Sequence, residues 1–225
     1  MSLLKNVGTI GGLTMVSRVA GMAREMIFSR VLGASNVTDA WFQAFIIPNV
    51  FRRLFAEGAF SAAFVPMFSK RLHGDGGLEE ARSFSNDVLS LFLPVLILLC
   101  AAMMLAMPLV IRLLGDGGAP AADFAMEVDF ARIMFPYILL VSLVTLFTGM
   151  LNSVSRFAPG ASFPIILNLV LIASLLLGEY AMNTWGWTPR EVGYAQAWAV
   201  PLGGVVQLIW LYTWTRVEGF RPKIL

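Results

Sequence analysis

Within the first sixty residues stand five arginines, Arg18, Arg24, Arg30, Arg52 and Arg53, and three acids, Glu25, Asp39 and Glu57. The segments around them are otherwise apolar. A guanidinium keeps its proton in proteins and grips phosphate through two parallel N–H bonds. Arginines in this number therefore imply binding of an anion, one bearing a phosphate or pyrophosphate group. At about 100° per residue, Asp39, Gln43, Asn49, Arg53, Glu57 and Ser61 fall on one helical face about 120° wide. Arg53 and Glu57 stand at i,i+4 and can pair. Arg18 and Glu25 are seven apart and share a face with Thr14, whereas Arg24 points about 120° away from Arg18. The acids would steady the arginines and limit the net charge of an empty site.

The elements that must position these charges are membrane helices. Of 225 residues, 58% are hydrophobic and 13% charged, and mean hydropathy is +0.76. A soluble domain is about 45–50% apolar and about 25% charged, so that class is excluded. A net charge of +2 also excludes a chain that coats nucleic acid. Val88–Ile111, Ile133–Ser155, Phe157–Gly178 and Val192–Thr215 each run 22 to 24 residues without a charge. Each is long enough to cross about 30 Å of hydrocarbon. The first seventy residues have shorter uncharged runs, yet two helices fit there, 7–31 and 39–68. They are joined by a turn at Gly33-Ala34-Ser35-Asn36, with Thr38 or Asp39 as the helix cap. A cleaved leader peptide is the competing reading of the start, weakened by Gly8, Gly11 and Gly12 in its apolar stretch.

The expected fold class is thus an all-α integral membrane protein of six transmembrane helices over residues 1–225. The spans fall at about 7–31, 39–68, 80–113, 124–152, 157–178 and 191–216. Lys5, Lys70, Arg71, Arg82, Arg156, Arg216, Arg221 and Lys223 gather at one set of loop ends. Arg30, Arg112 and Arg190 gather at the other with Asp116, Asp123, Glu127, Asp129 and Glu179. The excess of basic residues places both termini in the cytoplasm. Pro48, Pro66, Pro94, Pro108, Pro136, Pro164 and Pro201 lie in or beside spans, as suits helices that bend between states. Gly8 and Gly12 have the spacing of a close helix contact, a weak signal taken alone.

Enzyme chemistry is poorly served. The chain has one cysteine, Cys100, and one histidine, His73, so no metal cluster or nucleophile–histidine–acid triad can be assembled. A membrane transferase acting on polyprenyl phosphates needs an acidic metal motif. The inner loops offer only Asp75, Glu79 and Glu80, which read as a helix start. No cofactor and no metal are expected. Charged membrane positions that face neither lipid nor an ion pair imply a hydrated cationic cavity. A scaffold that docks partner helices through the same charges is the alternative from another class.

Three segments carry a family resemblance. They are Ser17-Arg18-Val19-Ala20-Gly21-Met22-Ala23-Arg24-Glu25, Thr38-Asp39-Ala40-Trp41-Phe42-Gln43-Ala44-Phe45, and Pro48-Asn49-Val50-Phe51-Arg52-Arg53-Leu54-Phe55-Ala56-Glu57-Gly58-Ala59-Phe60. Together they resemble the MurJ (MviN) family of bacterial lipid II flippases. Leu151-Asn152-Ser153 with Phe157-Ala158-Pro159 looks like the junction of that family's fourth and fifth helices. The family belongs to the multidrug/oligosaccharidyl-lipid/polysaccharide exporter superfamily, whose members have two six-helix lobes, and this chain is similar to the N-terminal lobe. The resemblance implies that Arg18, Arg24, Arg52 and Asp39 are required for transport. It also implies that Arg53, Glu57, Glu25 and Asn49 line the cavity. The implied substrate is lipid II, an undecaprenyl-pyrophosphate disaccharide-pentapeptide, moved from the cytoplasmic to the periplasmic leaflet of the inner membrane. Export of another polyprenyl-pyrophosphate-linked oligosaccharide is a variant of the same reading. The expected partners are lipid II, membrane lipids and a second lobe of the same polypeptide, with no nucleic acid.

Overall fold

The computed structural model describes residues 3–53, 60–114 and 120–220. These form eight helices: α1 Leu3–Leu32, α2 Asn36–Phe51, α3 Phe60–Leu72, α4 Gly77–Leu114, α5 Ala121–Met134, α6 Tyr137–Ser153, α7 Ala158–Trp185 and α8 Pro189–Val217. Among the described residues, four stretches are long and apolar enough to cross a membrane. They are α4, α5 continued by α6, α7 and α8. The N-terminal helix α1, which carries Arg18, Arg24, Glu25 and Arg30, is not among them.

Helix ends follow from local chemistry. Gly33, at φ +61°, turns the chain between α1 and α2. The cap of α2 is Ser35, whose hydroxyl accepts from the Thr38 N–H at 3.3 Å. This corrects the expectation of Thr38 or Asp39: the Thr38 hydroxyl instead donates to the Gly33 carbonyl at 2.7 Å, and Asp39 lies within the first turn. Thr188 and Glu191 form a reciprocal capping box on α8, which satisfies two otherwise orphaned donors.

One expected helix is subdivided, and another is described only in part. In the 39–68 stretch α2 runs to Phe51, a wider π-type turn follows at Arg52–Arg53, and α3 covers Phe60–Leu72. Pro48 lies inside α2 and has no N–H to give the preceding turn, which favours a local change of winding. Glu57, with residues 54–59, lies outside the described residues. The 124–152 stretch is divided at Phe135–Pro136, where proline cannot continue the ladder. Helix α7 runs on past Glu179 to Trp185 and stops at Gly186, φ +73°.

The bundle has two apolar cores. One joins α2, α4, α5, α7 and α8 through Trp41, Met107, Phe130, Met134, Leu171 and Val200. The other joins α3, α4, α6 and α8 through Phe64, Phe68, Phe147, Met150 and Leu211. Helix α7 packs between α1 and α8, and α2 packs against α5. Gly8 and Gly12 face open space and make no helix contact in the described chain.

Arg132 has a structural duty. Its Nε donates to the Met104 carbonyl at 2.9 Å. Met104 precedes Pro108 by four residues within α4, so its carbonyl has no i+4 N–H to receive. The guanidinium supplies the missing donor and ties α5 to the α4 kink. Arg132→Met should therefore lower stability by about 1–3 kcal/mol, read as earlier thermal unfolding in detergent. An unchanged midpoint would refute this role.

Candidate functional site

A cleft of about 290 Å³ opens where α1, α2, α6, α7 and α8 meet. One wall is basic: Arg24 from α1, then Asn49, Arg52 and Arg53 from the end of α2. The opposite wall is neutral and hydrogen-bonding, made by Tyr137, Asn168 and Gln207. Phe45, Phe163 and Leu167 fill the space between.

Helix chemistry explains the placement. Arg52 and Arg53 lie in a π-type turn at the end of α2, and both long side chains reach the lining of one cleft. Glycines on α8 bring in the far wall. A Cβ on Gly203 would stand 2.6 Å from Leu167, and one on Gly204 would stand 2.8 Å from Tyr137. Only glycine permits α6 and α7 to approach this closely.

Arg24 is held on two sides. Its side chain is 16% exposed. Nη1 donates to Asn168 Oδ1 at 3.1 Å and Nη2 to Glu25 Oε1 at 3.2 Å. Asn168 Nδ2 in turn donates to the Ser17 carbonyl at 3.4 Å. The amide thus aims the guanidinium across the α1–α7 seam. Deeper in, Gln207 Nε2 donates to the Phe163 carbonyl at 2.8 Å, and the Tyr137 hydroxyl donates to Gln207 Oε1 at 3.3 Å.

The sequence-expected residues divide accordingly. Arg24, Arg52, Arg53 and Asn49 share the cleft. Glu25 is exposed and reaches it only through Arg24. Arg18 is exposed and outside the lining. Asp39 is exposed in the first turn of α2, ten residues before Asn49, about 15 Å along the axis. Three polar lining residues were not anticipated: Tyr137, Asn168 and Gln207. Reading charges alone passes over neutral amides, but Asn168 in the long apolar run Phe157–Gly178 was a visible signal.

Three guanidiniums facing one carboxylate, among the described residues, make the cleft net cationic. It can neutralise and orient an anionic group while the amides and the phenol bond neutral polar groups attached to it. Fold and site together define a multi-span helical membrane protein with a basic cleft between its helices.

Comparison with known proteins narrows the class. The family model for lipid II flippase MurJ matches residues 28–225. Probable lipid II flippases MurJ from Rhizobium tropici and Rhizobium meliloti are 42% and 43% identical, over 97% and 98% of this chain. A lipid II flippase MurJ from Burkholderia cenocepacia is 38% identical over 93%. A solved structure of lipid II flippase MurJ, in an inward closed conformation, superposes with a TM-score of 0.73 at 24% identity. It matches 96% of this chain and 43% of its own length, and shares the fold. The chain belongs to the MurJ lipid II flippase family. It spans about 40% of the length of the curated relatives it matches.

Proposed function

We propose that this chain is the N-terminal six-span lobe of a flippase that carries lipid II across the bacterial inner membrane. Both termini lie in the cytoplasm, and a second lobe of the same polypeptide closes the cavity. The pyrophosphate of lipid II sits against Arg24, Arg52 and Arg53. Tyr137, Asn168 and Gln207 bond the polar groups next to it, and the polyprenyl tail leaves between the lobes into the bilayer. Alternating access exposes the cavity to one leaflet and then the other, with the proline-bearing helices absorbing the change. Arg18 and Asp39 act outside the cleft, at positions the anion meets as the lobes move.

The observation that carries this reading is the convergence of Arg24, Arg52 and Arg53 on one cleft in a member of this family. The family relationship favours transport over a scaffold, and the asymmetry of basic loop ends supports the orientation. Arg52→Lys separates the two readings. It keeps the charge but loses the two-pronged phosphate contact. In cells depleted of their own flippase and expressing the full reading frame, transport predicts about a tenfold loss of lipid II export, about 1.4 kcal/mol, at unchanged protein level. Export at the wild-type rate would favour the scaffold.

A further inference from the structure

A groove of about 300 Å³ lies between α4 and α8, with α6 beneath it. Leu143 and Phe147 form its floor, Leu89 and Leu93 one wall, and Ile209 and Tyr212 the other. Leu89, Leu143 and Phe147 are buried, whereas Ile209 is 58% exposed, so the groove opens outward. Apart from the Tyr212 hydroxyl, these side chains are hydrocarbon. They stand on stretches long and apolar enough to cross a membrane, and the flanking Leu91 of α4 is 74% exposed. The medium that meets the groove is therefore lipid chains.

One end of the groove is charged. Arg216, in the last turn of α8, holds its guanidinium 5.8 Å from the centre of the Tyr212 ring. That ring lies 6.1 Å from the Phe147 ring on the floor. Arg216 is exposed, and among the described residues no carboxylate pairs with it. Basic groups nearby are engaged: Arg156 pairs with Glu218 at 2.7 Å, and Arg82 donates to the Gly219 carbonyl at 3.0 Å. Trp210 and Trp214 meet edge to face at 5.9 Å on the same turns of α8. Indole rings favour the headgroup level of a bilayer, so Arg216, two residues beyond Trp214, stands at the depth of lipid phosphates.

A cation at the mouth of an apolar groove selects an amphiphile with an anionic head. Basic pockets between membrane helices hold anionic lipid headgroups, and a guanidinium takes a phosphate through two N–H bonds. A zwitterionic lipid brings a cation of its own to the same place and gains less. A polar peptide finds only the Tyr212 hydroxyl to bond. The second lobe is engaged elsewhere: under the function proposed above it closes the cleft lined by α1 and α2, and neither helix contributes to this groove.

We propose that the groove between α4 and α8 is a binding site for an anionic phospholipid. One acyl chain lies along Leu93, Phe147 and Ile209, and Arg216 holds the phosphate. The chain fills the gap between α4 and α8 over α6, as a resident lipid and not as cargo. Its binding does not depend on the flippase reading, since the groove shares no lining residue with the arginine cleft.

The test is photo-crosslinking of the full reading frame in nanodiscs of equal parts phosphatidylglycerol and phosphatidylcholine. A diazirine is carried on the acyl chain of one lipid or the other, labelled peptides are mapped by mass spectrometry, and circular dichroism monitors folding. Wild type is expected to be labelled on α4 and α8 beside the groove, about fivefold more by phosphatidylglycerol, as one cation near a charged lipid provides. Arg216→Gln should bring the two lipids level. Ile209→Trp, which fills the groove, should lower labelling at Leu93 by both. Equal labelling by the two lipids in wild type would overturn the proposal, as would labelling spread evenly over every lipid-facing helix. An unlabelled groove would mean that another part of the polypeptide or a second copy covers it, and rejects the lipid equally. Should Arg216→Gln fail to fold, Ile209→Trp decides: lost labelling at Leu93 upholds the site, and unchanged labelling rejects it.

Discussion

Arg24→Ala in the full reading frame should lower lipid II export about a hundredfold, close to 3 kcal/mol, because truncating a buried hydrogen-bonded charge typically costs about 2–5 kcal/mol. The side chain is 16% exposed and held from two sides, by Asn168 and by Glu25. Its loss removes a guanidinium held from two sides and leaves Asn168 Oδ1 without that donor. Asn168→Ala should follow in the same direction with a smaller effect, since the guanidinium remains but is no longer aimed. Export can be followed by accessibility of labelled lipid II at the outer leaflet, with immunoblots for protein level. A folded Arg24→Ala protein that exports normally would remove the cleft from the transport path.

The second large effect is expected in packing. Gly193→Leu places a branched side chain where even a Cβ would stand 2.5 Å from Val37 and 2.9 Å from Phe130. Overpacking of a tight core typically costs about 1–3 kcal/mol. Here two helices would have to retreat from α8 at once, so about 3 kcal/mol or more is expected. Gly12→Ala is the internal comparison: nothing lies within 4 Å of its added Cβ, so it should be neutral or gain up to about 1 kcal/mol from helix propensity. Thermal unfolding of both variants in detergent measures the difference. Equal midpoints would show that the three-helix contact is loose.

These two glycines illustrate how far the sequence carries. Gly8 and Gly12 have the recognisable spacing of a helix contact and make none here. Gly193, Gly203 and Gly204, which bring the helices together, follow no such motif. Spacing along one helix states only which residues share a face. Whether a neighbour arrives at that face depends on the other helices. The arginines divide in the same way. A helix over 39–68 sends Arg52 and Arg53 in directions about 100° apart, yet both line the cleft, because it opens where several helices meet at the end of α2. Asp39 and Asn49, assigned to one face by periodicity, are separated by most of the length of α2. Angular agreement carries no information about depth.

The amides were harder to read than the charges. Asn168 and Gln207 stand in apolar runs, where a neutral polar residue is mild enough to pass as filler. Their roles depend on Arg24, Ser17, Phe163 and Tyr137, which are distant in sequence. No local pattern encodes those meetings.

What the sequence by itself determined is set by solvent: long uncharged runs must be helices in a bilayer, because the backbone has no other way to satisfy its hydrogen bonds there. The same cost of burying charge marked Arg18, Arg24, Arg52 and Arg53 as candidate functional residues. The tertiary structure alone decided which of the charges converge, where α2 changes its winding and which neutral groups complete the cleft. Those outcomes follow from the close approach of helices remote in the chain, and each hydrogen bond or van der Waals contact that fixes them acts over only a few ångströms.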